Sequence, residues 1–178
     1  MTKELIILNG HPDPRPERFC AALCDAYERG AKAASWMTRR LDVGRLGLGA
    51  LAGHDRNRAA QEEVETMLAA IRAADRLVVV FPLWVNEPPE MLQTLFHRLA
   101  CMPDGARPSQ TRVIVTMELP ALMLKATKDA RREIDPQAVA LPGIVIRDMT
   151  VIGCVNSISL AQRKTWLDTV EQYGKCAA

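Results

Sequence analysis

The fold is decided by one stretch of the sequence, Asp75-Arg76-Leu77-Val78-Val79-Val80-Phe81-Pro82-Leu83-Trp84-Val85-Asn86. Its five consecutive apolar residues, Leu77–Phe81, are rich in β-branched side chains, which is typical of a strand buried on both faces in a parallel sheet. We expect Pro82 to end this strand and a short loop, residues 82–87, to follow. Pro88-Pro89-Glu90 then opens an amphipathic helix, since proline is tolerated in a first helical turn.

Trp84 is the candidate ligand contact of this loop. In an open α/β sheet, ligands bind outside the carboxyl ends of the strands, so an indole placed there can form a wall for a flat ligand. The alternative is an indole that only caps the sheet, because aromatic side chains pack well wherever they lie.

Composition limits the class of protein. The 178 residues are close to the usual size of one domain, and we expect residues 1–178 to form a single one. A hydrophobic share of 48% and a net charge of +2 indicate a globular protein, with no sign of a nucleic-acid partner. We expect no signal peptide and no membrane span. Five cysteines without a CxxC pair are typical of a reducing cytoplasm.

A second apolar run, Leu5–Leu8, is predicted to be another central strand, and it leads into the loop 9–18. Prolines stiffen this loop, and apolar residues recur at helical spacing from Phe19 onward. The free N–H groups at the start of such a helix suit a phosphate. Arg18, and also Arg15, could add charge-assisted hydrogen bonds, although either side chain alone is more often a solvated surface residue.

Cysteine and histidine positions give few further candidates. Cys20 and Cys24 lie one helical turn apart and are expected to pack against the sheet. A metal or redox pair is the alternative, but no histidine follows at ligand spacing, and we expect no metal site. His97 is expected to be partly exposed and His54 to lie on the surface, which leaves His11 as the histidine placed to meet a ligand, through hydrogen bonding to phosphate.

The remaining elements alternate strand with helix along the whole chain. We expect an edge strand at 36–41 and a glycine-rich surface loop at 44–53. Two helices follow on either side of the central strand, the first with Val64, Met67, Leu68 and Ile71 on one face and the second with Met91 or Leu92, Leu95, Phe96 and Leu99 on one face. Toward the end of the chain we expect a strand at 113–117, a helical but ambiguous stretch at 121–133, a strand at 149–154, and a helix at 159–173 with Leu160, Leu167 and Val170 buried. This alternation predicts an α/β fold: a three-layer, doubly wound, five-stranded parallel sheet in the order 2-1-3-4-5. The loops 9–18, 82–87 and 117–120 then meet at the switch point, which indicates a phosphate-bearing ligand with a flat ring.

These segments resemble the flavodoxin-like NAD(P)H:quinone oxidoreductases, the group that includes NAD(P)H dehydrogenase (quinone) and the modulator of drug activity B proteins. The resemblance covers nearly the entire chain. It rests on the order and spacing of Ile6–Pro14, Phe81–Trp84, Val113–Met117 with Leu119–Leu122, Thr150–Gly153 and Trp166-Leu167.

The resemblance implies a homodimer that binds FMN, or alternatively FAD, and transfers hydride in a ping-pong reaction from NAD(P)H through flavin to a quinone or similar acceptor. The flavin would do the chemistry while the protein positions it. The residues implied in cofactor binding are His11, Arg18, Phe19 and Cys20 at the phosphate, Pro82, Leu83, Trp84 and Val85 along the ring, and Thr116, Met117 and Glu118 at its pyrimidine side. Asn86, which follows in the same loop, is also expected to contact the cofactor. No catalytic side chain is identified.

The sequence departs from this group where the ring should lie. Asn86-Glu87 and Glu118 stand where the group often has glycine, which allows close backbone approach. Arg18 and Cys20 stand where it commonly has serine and asparagine. The alternative function is therefore a flavodoxin-like protein whose flavin binding is weak or lost and which serves as a regulatory or interaction subunit.

Overall fold

The computed structural model describes residues 3–54, 56–84, 87–102, 110–121 and 141–177, together with residues 108 and 139. Its strands are β1 (Glu4–Asn9), β2 (Met37–Asp42), β3 (Arg76–Leu83), β4 (Gln110–Met117) and β5 (Ile146–Ile152). Its helices are α1 (Phe19–Ala33), α2 (Leu48–Leu51), α3 (Arg58–Ala73), α4 (Glu90–Cys101) and α5 (Leu160–Lys175), with a 3-10 turn at Val43–Arg45. The strands form one parallel sheet in the order β2-β1-β3-β4-β5, which confirms the predicted topology.

Alternate residues of the central strands point into two separate apolar layers, as the period of a β-strand requires. On one face Ile6, Leu8, Leu77 and Val79 pack against α2, α3 and α4. On the other face Leu5, Ile7, Val78 and Val80 pack against α1 and α5. The apolar run Leu77–Phe81 is fully buried, so the sequence prediction of a strand covered on both sides is confirmed.

The prediction that Pro82 ends the strand is wrong, because β3 continues to Leu83 and Pro82 pairs with Thr116 of β4. The backbone N–H of Gly10 donates to the Val80 carbonyl at 2.8 Å, so Val80 faces β1. Pro82, two residues further on, faces the same side at a level where β1 has already ended. Its missing N–H therefore costs the sheet no hydrogen bond.

Helices α1 and α5 cross at close range through glycines. A Cβ atom added to Gly30 would lie 2.0 Å from the Glu171 carbonyl oxygen, and one added to Gly174 would lie 2.3 Å from the Tyr27 carbonyl oxygen. Gly30, which lies within the apolar pattern of α1, is thus a packing residue. This contact joins the carboxyl-terminal halves of α1 and α5.

Three further expectations need correction. The glycine-rich segment 44–53 is not only a surface loop, because it contains α2 and buries Leu46 and Leu51. Strand β5 begins and ends earlier than the predicted 149–154. Leu160 is 85% exposed rather than buried, since it is the first residue of α5 after the Ser159 cap. The stretch expected to be helical, residues 121–133, lies outside the described residues apart from Ala121. No described helix is long and apolar enough to cross a membrane.

Candidate functional site

A cleft of about 500 Å³ opens at the carboxyl ends of β1, β3 and β4. This volume falls within the range of about 300–1,000 Å³ that small-molecule sites span. Every predicted site residue that the structure describes lines the cleft: His11, Arg18, Phe19, Cys20, Pro82, Leu83, Trp84, Thr116, Met117 and Glu118. Val85 and Asn86 lie outside the described residues. The three predicted loops therefore meet where the topology places them.

The loop after β1 is held by a series of side chain to backbone hydrogen bonds. The buried Asn9 amide donates from Nδ2 to Asp42 Oδ1 at 2.9 Å and accepts at Oδ1 from the His11 N–H at 3.2 Å. His11 Nδ1 in turn accepts from the Asp13 N–H at 2.9 Å, and Asp13 Oδ1 accepts from the Arg15 N–H at 3.2 Å. This relay links successive residues of the loop to one another and to Asp42, and so restricts the conformation of the loop.

Gly44 allows the same loop to lie against the segment after β2. A Cβ atom at Gly44 would be 2.4 Å from the Pro12 carbonyl oxygen and 2.7 Å from that of His11. A side chain at this position would displace the loop that lines the cleft. One glycine of the segment that was expected to be a plain surface loop thus supports the site.

The relay also sets the protonation of His11. Burial lowers the pKa of the imidazole, and the positive charge of Arg18 lowers it further, against a smaller opposing effect of Asp13. Because Nδ1 accepts a hydrogen bond, the proton of the neutral ring is on Nε2. The ring lies edge-on to Trp84, with centroids 6.0 Å apart and an interplanar angle of 85°. The cleft therefore has a neutral imidazole donor beside an indole that is 48% exposed.

At the other end of the cleft, α1 begins without a side-chain cap. Arg18 is the N-cap residue, no side-chain cap is formed among the described residues, and the first turn holds no acidic residue. The first N–H groups of a helix have no partner within the helix, and its dipole favours an anion there. Phe19 and Cys20, from this first turn, line the cleft. The arrangement can bind a phosphate.

The wall between α1 and β4 contains a buried thiol. Cys20 Sγ lies 3.4 Å from Thr116 Oγ1. Burial raises the pKa of the Cys20 thiol to about 11, and that of Cys24, one turn deeper, is also raised. Both cysteines are buried against the sheet as predicted. Among the described residues, no group of histidine, cysteine and acidic side chains could hold a metal ion.

Glu118, the carboxylate that was expected to crowd the site, lies exposed at the cleft. Asn156 Nδ2 donates to its Oε1 at 2.8 Å, so the loops after β4 and β5 are joined beside the opening. Glu87, the other carboxylate of concern, is joined to Trp84 by two backbone hydrogen bonds of 3.1 Å and 2.9 Å. Only Glu118 of the two lines the cleft.

Sequence reasoning missed several cleft residues: Pro12, Asp13, Glu17, Val155, Asn156 and Arg163. The first three belong to the predicted loop 9–18, so that its boundaries already contained them. The last three come from the segment after β5, which was not assigned to the site. The Arg163 guanidinium lies 4.9 Å from the centroid of the Phe19 ring and donates to the Val155 carbonyl oxygen. No local signal in the sequence brings Arg163 to Phe19.

The fold and the cleft define a doubly wound α/β protein with a ligand site at its switch point. A profile of the flavodoxin-like fold family matches residues 3–133, and the chain belongs to that family. A search of curated proteins found no match.

Solved structures show the same fold at low sequence identity. The chain is similar to an NAD(P)H:quinone oxidoreductase from Methanothermobacter marburgensis, with a TM-score of 0.72, 16% identity, and coverage of 99% of this chain and 96% of that one. It is also similar to an FMN-dependent NADH-azoreductase from Bacillus anthracis strain Ames Ancestor, determined in complex with FMN, with a TM-score of 0.69, 12% identity, and coverage of 99% and 100%. An azoreductase from Bacillus anthracis strain Sterne gives a TM-score of 0.64 at 17% identity, with coverage of 99% and 100%.

Proposed function

We propose that this protein is an FMN-dependent NAD(P)H:quinone oxidoreductase that works by ping-pong hydride transfer, with a quinone or similar small molecule as acceptor. The observation that supports the proposal is the cleft itself. It joins an uncapped helix N-terminus at one end to the His11–Trp84 pair and the β4 loop at the other. The structural similarity to proteins named as quinone oxidoreductase and FMN-dependent azoreductase points the same way.

The residues present fit a flavin. The first N–H groups of α1, with Arg18, would hold its phosphate. Pro82, Leu83 and Trp84 would lie along the ring, with Thr116 and Met117 at its far side. The flavin, when bound, supplies the redox chemistry. The protein excludes water, orients the ring, and offers the Nε2–H of His11 as a hydrogen-bond donor from the cleft wall.

Several finer points belong to the same proposal. FAD is the alternative cofactor, and NAD(P)H is the cosubstrate. We expect one domain, a homodimer and a cytoplasmic location. The homodimer rests on the family resemblance, which is an associational argument.

The test is the visible absorption spectrum of the purified protein, recorded anaerobically before and after addition of FMN and then NADPH. A flavin band that bleaches with NADPH, and that returns when a quinone is added, is the expected result. A protein that binds neither FMN nor FAD at micromolar concentration would rule the proposal out.

One observation favours a second function, that of a regulatory or interaction subunit with weak flavin binding. Glu118, fixed by Asn156, places a carboxylate beside the cleft where the resembling group has glycine. A carboxylate there opposes the gain of negative charge by an electron-accepting ring. The discriminating experiment compares FMN binding by the native protein and by Glu118→Gly. Binding only in the variant supports the second function, whereas stoichiometric flavin in the native protein excludes it.

A further inference from the structure

Asp13 is the centre of an ion cluster at the phosphate end of the cleft. Arg15 Nε donates to Asp13 Oδ1 at 2.9 Å and to Asp13 Oδ2 at 3.0 Å, and Arg15 Nη2 donates to Oδ2 at 2.6 Å. Oδ2 also accepts from Arg18 Nε at 2.7 Å and from Arg18 Nη2. Two donor groups of the Arg18 guanidinium are thus bound to Asp13. The arginine best placed to hold a ligand phosphate already holds an anion.

The backbone gives Asp13 little freedom to leave this position. Its N–H donates to His11 Nδ1, and its side chain accepts from the Arg15 N–H. The arginine side chains are more exposed than that of Asp13: 66% of the Arg15 side chain and 44% of the Arg18 side chain are exposed, against 26% for Asp13. When a ligand anion arrives, the guanidinium of Arg18 is therefore the group that moves, exchanging one acceptor for another.

We propose that Asp13 is a specificity-determining residue that competes with the ligand phosphate for Arg18 and so weakens the binding of phosphate-bearing ligands relative to their phosphate-free analogues. This inference deepens the proposed flavin site and rests on it. It predicts that the native protein distinguishes FMN from riboflavin less than a site with two free arginines would. The phosphate gains the helix N-terminus but must exchange with a bound carboxylate.

Charge counting supports this direction. With Asp13 ionised, the cluster formed by Asp13, Arg15 and Arg18 carries one net positive charge, so that a phosphate monoester dianion leaves it negative. The guanidiniums hold the pKa of Asp13 well below its usual range, so the carboxylate remains charged at every pH at which the protein would be assayed. Asp13 therefore competes for Arg18 in its charged form throughout the neutral pH range.

The test compares Asp13→Asn with Glu17→Gln. Asparagine keeps the side-chain oxygen that accepts from the Arg15 N–H but loses the charge. Glu17 also lines the cleft, and it acts on Arg15 through its charge and not through a hydrogen bond. Its substitution removes the same charge without releasing an arginine. Dissociation constants for FMN and riboflavin are measured by fluorescence quenching for the native protein and both variants.

We expect Asp13→Asn to bind FMN about tenfold more tightly than the native protein, which is the size of one charge-assisted hydrogen bond. Riboflavin affinity should stay within about twofold in every variant, and Glu17→Gln should change FMN affinity by less than about threefold because its exposed charge is screened. Unchanged or weaker FMN binding by Asp13→Asn would overturn the inference, since Asp13 would then be orienting the arginines. Equal gains in the two variants would also overturn it, because net charge alone would explain them.

If no form of the protein binds either flavin, the proposed function fails and inorganic phosphate becomes the probe. The melting temperature is then measured with and without phosphate at constant ionic strength. A phosphate-dependent rise confined to Asp13→Asn supports competition by Asp13 at this site. The same response in all three proteins refutes it.

Discussion

Replacement of Asn9 by alanine tests whether the relay behind the cleft is a structural requirement. Asn9 is fully buried, and its amide joins Asp42 at 2.9 Å to the His11 N–H at 3.2 Å. A hydrogen bond to a charged group contributes about 1.5–3 kcal/mol and a neutral one about 1 kcal/mol. Asp42 keeps Arg40 at 3.2 Å, so part of the larger contribution survives. We expect Asn9→Ala to lower the free energy of unfolding by about 3 kcal/mol.

The assay is equilibrium unfolding in urea, with Asn57→Ala as the matched control. Asn57 caps α3 by accepting a hydrogen bond from the Ala59 N–H at 3.1 Å, and loss of such a cap costs about 1 kcal/mol. The loop should also loosen, so FMN affinity should fall about tenfold in Asn9→Ala, as for loss of one or two hydrogen bonds, and stay unchanged in the control. A loss of stability no larger than that of Asn57→Ala would refute the reasoning about the relay. Unchanged FMN affinity in Asn9→Ala would show that the relay stabilises the fold without affecting ligand binding in the cleft.

Three further expectations concern the cleft wall, the helix crossing and the buried thiol. Trp84→Ala should weaken FMN and riboflavin alike by about fivefold, as loss of an aromatic contact does, while Trp84→Phe restores most of the affinity in a fluorescence titration. Gly174→Ala should lower the free energy of unfolding in urea by about 2–3 kcal/mol, because its Cβ meets a backbone oxygen of α1. The control Gly47→Ala, whose added Cβ has nothing within 4 Å, should lower it by less than about 1 kcal/mol. Equal losses in the two variants would contradict the close packing of α1 against α5. The pKa of Cys20 rises from 9.0 to about 11 on folding, so its contribution to stability is complete below pH 9 and is lost as pH increases toward 11. Native protein should therefore lose about 2 kcal/mol more than Cys20→Ala over that interval, and parallel pH profiles of the two proteins would show that the thiol does not titrate in this way.

Much of the fold could be predicted because its signals are local. The apolar runs Leu5–Leu8 and Leu77–Phe81 are typical of strands that are buried on both faces in a parallel sheet. The helical spacing of Val64, Leu68 and Ile71 predicts that α3 packs one apolar face against the sheet. Once strands and helices alternate, right-handed crossovers leave few topologies, and the carboxyl edge of the sheet brings the predicted loops together.

Most of the wrong predictions concern residues whose role depends on contact with a segment that is distant in the sequence. Pro82 remains in β3 because β1 ends beside it, and the strand partner of a proline cannot be read from the proline itself. Gly44 was expected to lie in a surface loop, yet it makes room for backbone carbonyl oxygens of the loop after β1, and Gly174 in α5 makes room in the same way for the Tyr27 carbonyl oxygen. Leu160 fits an apolar pattern, but it stands at the exposed start of its helix.

The sequence alone determined the approximate positions of the strands, the order of the sheet and three of the segments that line the cleft, because these follow from periodicity and the handedness of connections. The segment after β5, which also lines the cleft, was not among them. Only the tertiary structure decided how the side chains in the cleft are paired. In the folded protein Arg18 is paired with Asp13 and is not free for a phosphate. Glu118 accepts a hydrogen bond from Asn156, and the Arg163 guanidinium lies over the Phe19 ring. Pairing of this kind depends on distances of a few ångströms between side chains whose positions are set by packing, and spacing along the chain does not encode those distances.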